Sequence, residues 1–139
     1  GGRDMLVEKV KKYYGEEYDL NCAETIIYAA NEEYNLELDK KTLKTMAAFG
    51  GGMAIESVCG AITGSLAVLG IIFTKERAHE SDRIKELTKE FFNKFEKKFG
   101  TNSCNKLKEG YRTEESRCSV MLYSAAEILD EIIIRERAE

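Results

Sequence analysis

From Val58 to Phe73 the chain runs without a single charge, VCGAITGSLAVLGIIF, and this segment constrains the fold more than any other. It is shorter than the ~20 apolar residues a membrane span requires, so it reads as a buried helix. A helix apolar on every side has to be wrapped by others. The expected span is from a cap at Ser57 to about Lys75, at the centre of a bundle. Gly60, Gly64 and Ser65 carry little or no side chain and would let a neighbouring helix or a cofactor approach the backbone closely.

The rest of the chain supplies the wrapping. Helical periodicity runs through nearly all of it, and β-branched alternation is absent. A first helix is expected from about Asp4 to Tyr14, with Leu6, Val7, Val10 and Tyr14 on one face. Asn21 and Glu24 have the spacing of a capping box, followed by a stripe of Ala23, Ile26, Ile27, Ala30 and Tyr34. Asp39 caps a third helix carrying Leu43, Met46, Ala47 and Phe49, which stops at Gly50-Gly51-Gly52. Lys75 to Asp82 is a charged surface connection. Ser81 can cap a helix lined by Ile84, Leu87, Thr88, Phe91, Phe95 and Phe99, and Gly100 ends it. A short helix follows Ser103. The last runs from about Glu114 to Arg135, with Cys118, Met121, Leu122, Ala125, Ile128, Leu129 and Ile132 as one seam. The fold class is all-α: one domain over residues 3–139, a bundle of about five to six helices around the apolar one.

Charge narrows the function. Acidic and basic residues are interleaved along the chain, with a net charge of -4. No basic stripe or arm offers itself to nucleic acid or to anionic lipid. The start, GGRDMLVEKV, lacks a basic region followed by an apolar one, so a cytoplasmic location is the expectation. Gly1 and Gly2 read as the remnant of a tag. No Gly-Lys-Ser/Thr follows the triple glycine and no strand precedes it, so no nucleotide is expected.

The chemistry lies in Cys22, Cys59, Cys104 and Cys118. A chain of this size in a reducing compartment has no need of a disulfide framework. There is no CxxC and no proline, which rules out a thioredoxin-like arrangement. Closely paired zinc ligands are missing too. Cys22, Cys59 and Cys104 each fall near an expected helix start, where free N–H groups and the dipole favour thiolate. Read alone, Cys118 is a core residue of the last seam. Cys104, among Asn102, Ser103 and Asn105, is the best candidate for an exposed, reactive thiol. Gly51 and Gly52 are either a hinge or a nest of N–H groups near Cys59. His79 sits among charges and reads as solvated, so no Cys/His nucleophile is expected.

Four separated cysteines, with Cys59-Gly60-Ala61-Ile62-Thr63-Gly64 at the second, resemble the C_GCAxxG_C_C family of redox-active proteins. The likeness extends over nearly the whole chain, including Asn21-Cys22-Ala23-Glu24, Cys104 and Cys118. It departs conservatively at Ser65-Leu66-Ala67. A related cysteine-bearing domain occurs in split-Soret cytochromes beside an iron–sulfur centre. The resemblance therefore implies a [2Fe–2S] cluster held by Cys22, Cys59, Cys104 and Cys118, with Gly51, Gly52, Gly60 and Gly64 lining its site. Three helix starts would offset about 1.5 of the two negative charges on such a cluster. No CxxCH is present, so covalent haem is not expected.

Three functions follow for test. The first is electron transfer through that cluster. The second is metal-free thiol–disulfide or sulfur-transfer chemistry with Cys104 or Cys59 as nucleophile. The third is a helical scaffold using exposed phenylalanines or Ile132-Ile133-Ile134 as an interface. The expected partners are a redox protein or a small thiol or disulfide, with a homodimer as the candidate assembly.

Overall fold

The computed structural model describes residues 5–137. Gly1, Gly2 and Asp4 therefore lie outside the described residues. The architecture is all-α, with α1 Met5–Tyr13, α2 Cys22–Glu33, α3 Lys40–Leu43, α4 Gly60–Phe73, α5 Arg83–Phe99, α6 Cys104–Tyr111 and α7 Ser119–Arg137. Each helix expected from the sequence is present among the described residues, α3 as a single short turn.

The uncharged segment is central. α4 packs against α2, α5 and α7, while α1 closes the other side on α2 and α7. Ala61, Ile62, Val68 and Leu69 lose all solvent contact. The final turn of α4 emerges partly, and the Arg83 guanidinium lies 4.7 Å above the Phe73 ring. No helix among the described residues is long and apolar enough to cross a membrane.

The close approach of α2 to α4 has a steric origin. A methyl at Gly64 would stand 2.7 Å from the Ala23 carbonyl oxygen, and one at Gly60 would stand 3.1 Å from the Cys22 Cβ. The two glycines thus seat α2 directly on α4. Ser65, the departure from the family pattern, is fully buried, and its hydroxyl donates to the Ala61 carbonyl at 2.7 Å. That bond satisfies a polar atom which burial would otherwise penalise.

Helix ends follow local chemistry. The capping box at Asn21 forms: its side chain accepts from the Glu24 N–H at 2.8 Å, and Glu24 accepts from the Asn21 N–H at 3.0 Å. Asp39 caps α3 through the Thr42 N–H. Gly100, at φ +79°, ends α5 in the left-handed conformation that glycine adopts without strain. Asp82 occupies the start of α5, with Ser81 Oγ accepting from the Arg83 N–H.

Phe91, Phe95 and Phe99 are buried core, as are Ile132 and Ile133. The phenylalanine row is therefore not an exposed interface, and of the isoleucine run only Ile134 is exposed. Phe49, expected in the core, is exposed because the helix after Asp39 tightens into a 3-10 turn at Lys44–Met46. That changes the face presented beyond Met46.

Candidate functional site

The starts of four helices meet at one end of the bundle, and each brings a cysteine. Cys22 is the first residue of α2 and Cys104 the first of α6. Cys59 occupies the cap position of α4, two residues later than the expected cap at Ser57. Cys118 packs partly buried against the core, as the seam predicts, yet stands outside the helix. It immediately precedes α7, and its carbonyl accepts from the Leu122 N–H.

Two backbone fastenings hold these starts together. Ser57 and Cys59 pair antiparallel with the segment before α6: the Cys59 N–H donates to the Asn102 carbonyl, and the Cys104 N–H to the Ser57 carbonyl. This ties the second cysteine to the third. Tyr14, just past α1, makes the other fastening. Its hydroxyl accepts from the Cys118 N–H at 3.1 Å, and its carbonyl accepts from the Arg117 guanidinium at 2.8 Å. Arg117 also lies 4.0 Å above the Tyr14 ring.

The triple glycine leads into a left-handed turn beside the cysteines. Gly51, Gly52, Met53 and Ala54 all have positive φ, as does Glu56, forming a left-handed turn. Each non-glycine residue so placed stores on the order of 1 kcal/mol of strain. Gly52 is buried against the site: an added methyl would meet the Ser57 nitrogen at 2.4 Å and the Cys104 Cβ at 2.8 Å. Glu56 anchors the turn to α6 through Lys108 at 2.8 Å.

The four cysteines line a single cavity of about 230 Å³. Gly51 and Gly60 also line it, whereas Gly52 and Gly64 pack behind it against Cys104 and α2. The charged residues of its lining are Lys108, Arg112 and Arg117, with no carboxylate among them. Sequence reasoning passed over these cations and Tyr14. Lys108 was findable, since it stands four residues after Cys104 on the same helical face. Arg112 and Arg117 follow from chain path alone.

Burial and charge divide the thiols. Cys22 and Cys118 are neighbours in this lining and titrate as a pair, in opposite directions. Donation from Cys22, together with the charges of Arg112 and Lys108 and a hydrogen bond from Arg112, holds Cys118 well below the ordinary thiol value. Cys22 is pushed up by that same bond and by burial. Burial lifts Cys59 to about 11, overriding the Ala61 and Ile62 N–H groups that favour its anion. Cys104 is 6% exposed and is also raised by burial, against the pull of Lys108. The expected ranking is reversed. Cys104 is not the exposed thiol, and at Cys59 and Cys104 the helix-start field loses to desolvation. Cys118 is partly exposed and faces fixed cations, which favour its anion over those of the other three. Among the described residues, no three or more His, Cys, Asp or Glu side chains are grouped to hold one metal ion.

A helical bundle whose helix starts gather four free cysteines around one cation-rimmed cavity defines a class of thiol-bearing protein. The chain belongs to the C_GCAxxG_C_C family, whose profile matches residues 20–132 and is described as "Putative redox-active protein (C_GCAxxG_C_C)". No curated protein and no solved structure matches the chain.

Proposed function

We propose that Cys118 and Cys22 form a dithiol redox couple that exchanges with disulfides. The observation that carries this reading is that both sulfurs line one cavity, Cys118 partly exposed beside Arg112 and Arg117 and Cys22 covered behind it. The Cys118 thiolate attacks one sulfur of a substrate disulfide, forming a mixed disulfide and expelling the other sulfur as a thiolate. Cys22 then gives up its proton and attacks the Cys118 sulfur, expelling the second substrate thiolate. Two electrons pass from the cysteines to the substrate. The two product thiols take one proton from Cys22 and one from water. A disulfide bond is about 2.05 Å long, so the two sulfurs close on each other within the cavity to complete the exchange.

A second reading, a [2Fe–2S] centre, is favoured by one further observation: Cys59 and Cys104 line the same cavity. The donor set fits such a group, which takes four thiolates shared between two irons and so needs no three ligands around one ion. Cys22, Cys59, Cys104 and Cys118 would hold it, and bound there it would supply one-electron transfer. The chain's own contribution is Lys108, Arg112 and Arg117, which offset the negative charge of four thiolates, and the left-handed turn, which shields Cys104 from water.

One experiment separates the readings. The protein is purified anaerobically, incubated with iron and sulfide, and analysed for both. In parallel, the iron-free protein is mixed with a small disulfide and mapped by mass spectrometry. Dithiol exchange gives a Cys22–Cys118 bridge, a trapped mixed disulfide at Cys118 in Cys22→Ser, and no reaction in Cys118→Ser. Stoichiometric iron lost in each of the four Cys→Ser variants, without bridge formation, replaces that reading with the cluster.

A further inference from the structure

We infer that the four-cysteine cavity selects small anionic sulfur compounds, carboxylate-bearing disulfides and thiols, over neutral or cationic ones. The inference rests on the dithiol reading for the reaction but on separate observations for the selectivity. The first is size. A cavity of about 230 Å³ admits a small molecule and no folded element of a partner.

The second observation is charge. In a chain whose net charge is -4, Lys108, Arg112 and Arg117 are the charged residues of the cavity lining, and all are positive. Two of them have an internal partner. Lys108 pairs with Glu56, whose carboxylate cancels one charge. Arg117 donates to a neutral carbonyl and stands over a neutral ring, so its position is fixed and its charge is kept. Arg112 is exposed at the mouth and reaches Cys118.

The reaction changes this balance in a useful direction. With Cys118 ionised, the guanidinium of Arg112 has an anion to face. Once the Cys118 sulfur is consumed in a mixed disulfide, that anion is gone and the full charge of Arg112 and Arg117 turns to the bound half of the substrate. A carboxylate on that half replaces the lost negative charge. An ammonium there would be repelled.

The test compares alkylation of Cys118 in the reduced protein by iodoacetate, an anion, and iodoacetamide, its neutral counterpart. Their rate ratio cancels the thiolate fraction and so reads the local field alone. Relative to a free small thiol, the iodoacetate-to-iodoacetamide ratio should rise on the order of 10-fold, as expected of a cleft lined by one sign of charge. It should fall back in Arg112→Gln, whose exposed side chain can be changed without disturbing the core, and fall with added salt. A ratio equal to that of the free thiol, or failure of both reagents at Cys118, overturns the inference. A second arm follows reduction of 3,3′-dithiodipropionate, 2-hydroxyethyl disulfide and cystamine. Rates in that order support anion selectivity, and equal rates refute it while leaving the exchange reaction intact. If none of the three is reduced, the exchange reaction is refuted, and the alkylation ratio still decides the charge preference.

Discussion

Gly64→Ala and Gly70→Ala make the same change on one helix, yet their effects should have opposite signs. At residue 64 the new methyl would lie 2.7 Å from the Ala23 carbonyl oxygen, 3.0 Å from the Ala23 Cα and 3.1 Å from the Ile26 Cβ. Two of those atoms are backbone, so no rotamer relieves the clash. Carbon contacts settle at ~3.5–4.0 Å, which forces α2 and α4 apart by roughly 0.5–1 Å. Overpacking of this kind costs about 3 kcal/mol at the upper end of its usual range. Replacing a helical glycine with alanine returns about 1 kcal/mol of propensity. The net is a loss of roughly 2 kcal/mol, or a Tm lower by roughly 4–8 °C for a chain of this size. At residue 70 no atom lies within 4 Å of the new methyl, so only the propensity gain of about 1 kcal/mol remains. Thermal and urea unfolding measure both. Because α2 carries Cys22, Gly64→Ala should also loosen the Cys22–Cys118 contact and slow Cys118 alkylation near pH 7. Stability moving in the same direction in both variants would refute the steric account of how the helices are seated.

Three further outcomes follow from the site. Gly52→Ala places a methyl 2.4 Å from the Ser57 nitrogen at φ +63°, and strain with overlap should remove on the order of 3 kcal/mol in urea titration. Asn21→Ala deletes the cap and the capping box of α2 and should cost ~1–2 kcal/mol, read as a lower Tm. The alkylation rate of Cys118 should titrate with a midpoint near pH 6 rather than the ordinary value of 9.0, and Cys22→Ala or Arg112→Gln should raise that midpoint. The stability linked to Cys118 has a definite sign. Its pKa is depressed on folding, so its contribution is present above the unfolded value and is lost as pH falls towards about 6. Cys22, raised on folding, acts in the opposite sense at alkaline pH.

Much of the fold was legible because its signals are local. The apolar run, the Asn21–Glu24 box, the Asp39 cap and the Gly100 stop are each satisfied within a few residues, and each formed as expected. The four cysteines were legible as a set through their pattern. Their division of labour was not. Whether a helix-start field or desolvation prevails at a given sulfur depends on which distant segments cover it, and no spacing encodes that. Cys118 was misread for a related reason. Residues 113–117 form a turn closed by the Arg117 N–H and the Thr113 carbonyl, which delays α7 until Ser119 and leaves the cysteine at the helix start, against the core on one side and the cavity on the other. The left-handed turn after Gly50 was equally hidden, since Met53, Ala54 and Glu56 have no intrinsic preference for that conformation.

Tyr14 fastening Cys118 has a bearing on when the four thiols come to differ. Until α7 docks on α1, nothing holds Cys118 beside Cys22 at the cations of the cavity. In the unfolded chain the thiols are equivalent, and the closing of the bundle sets Cys118 apart from the three whose ionisation folding disfavours.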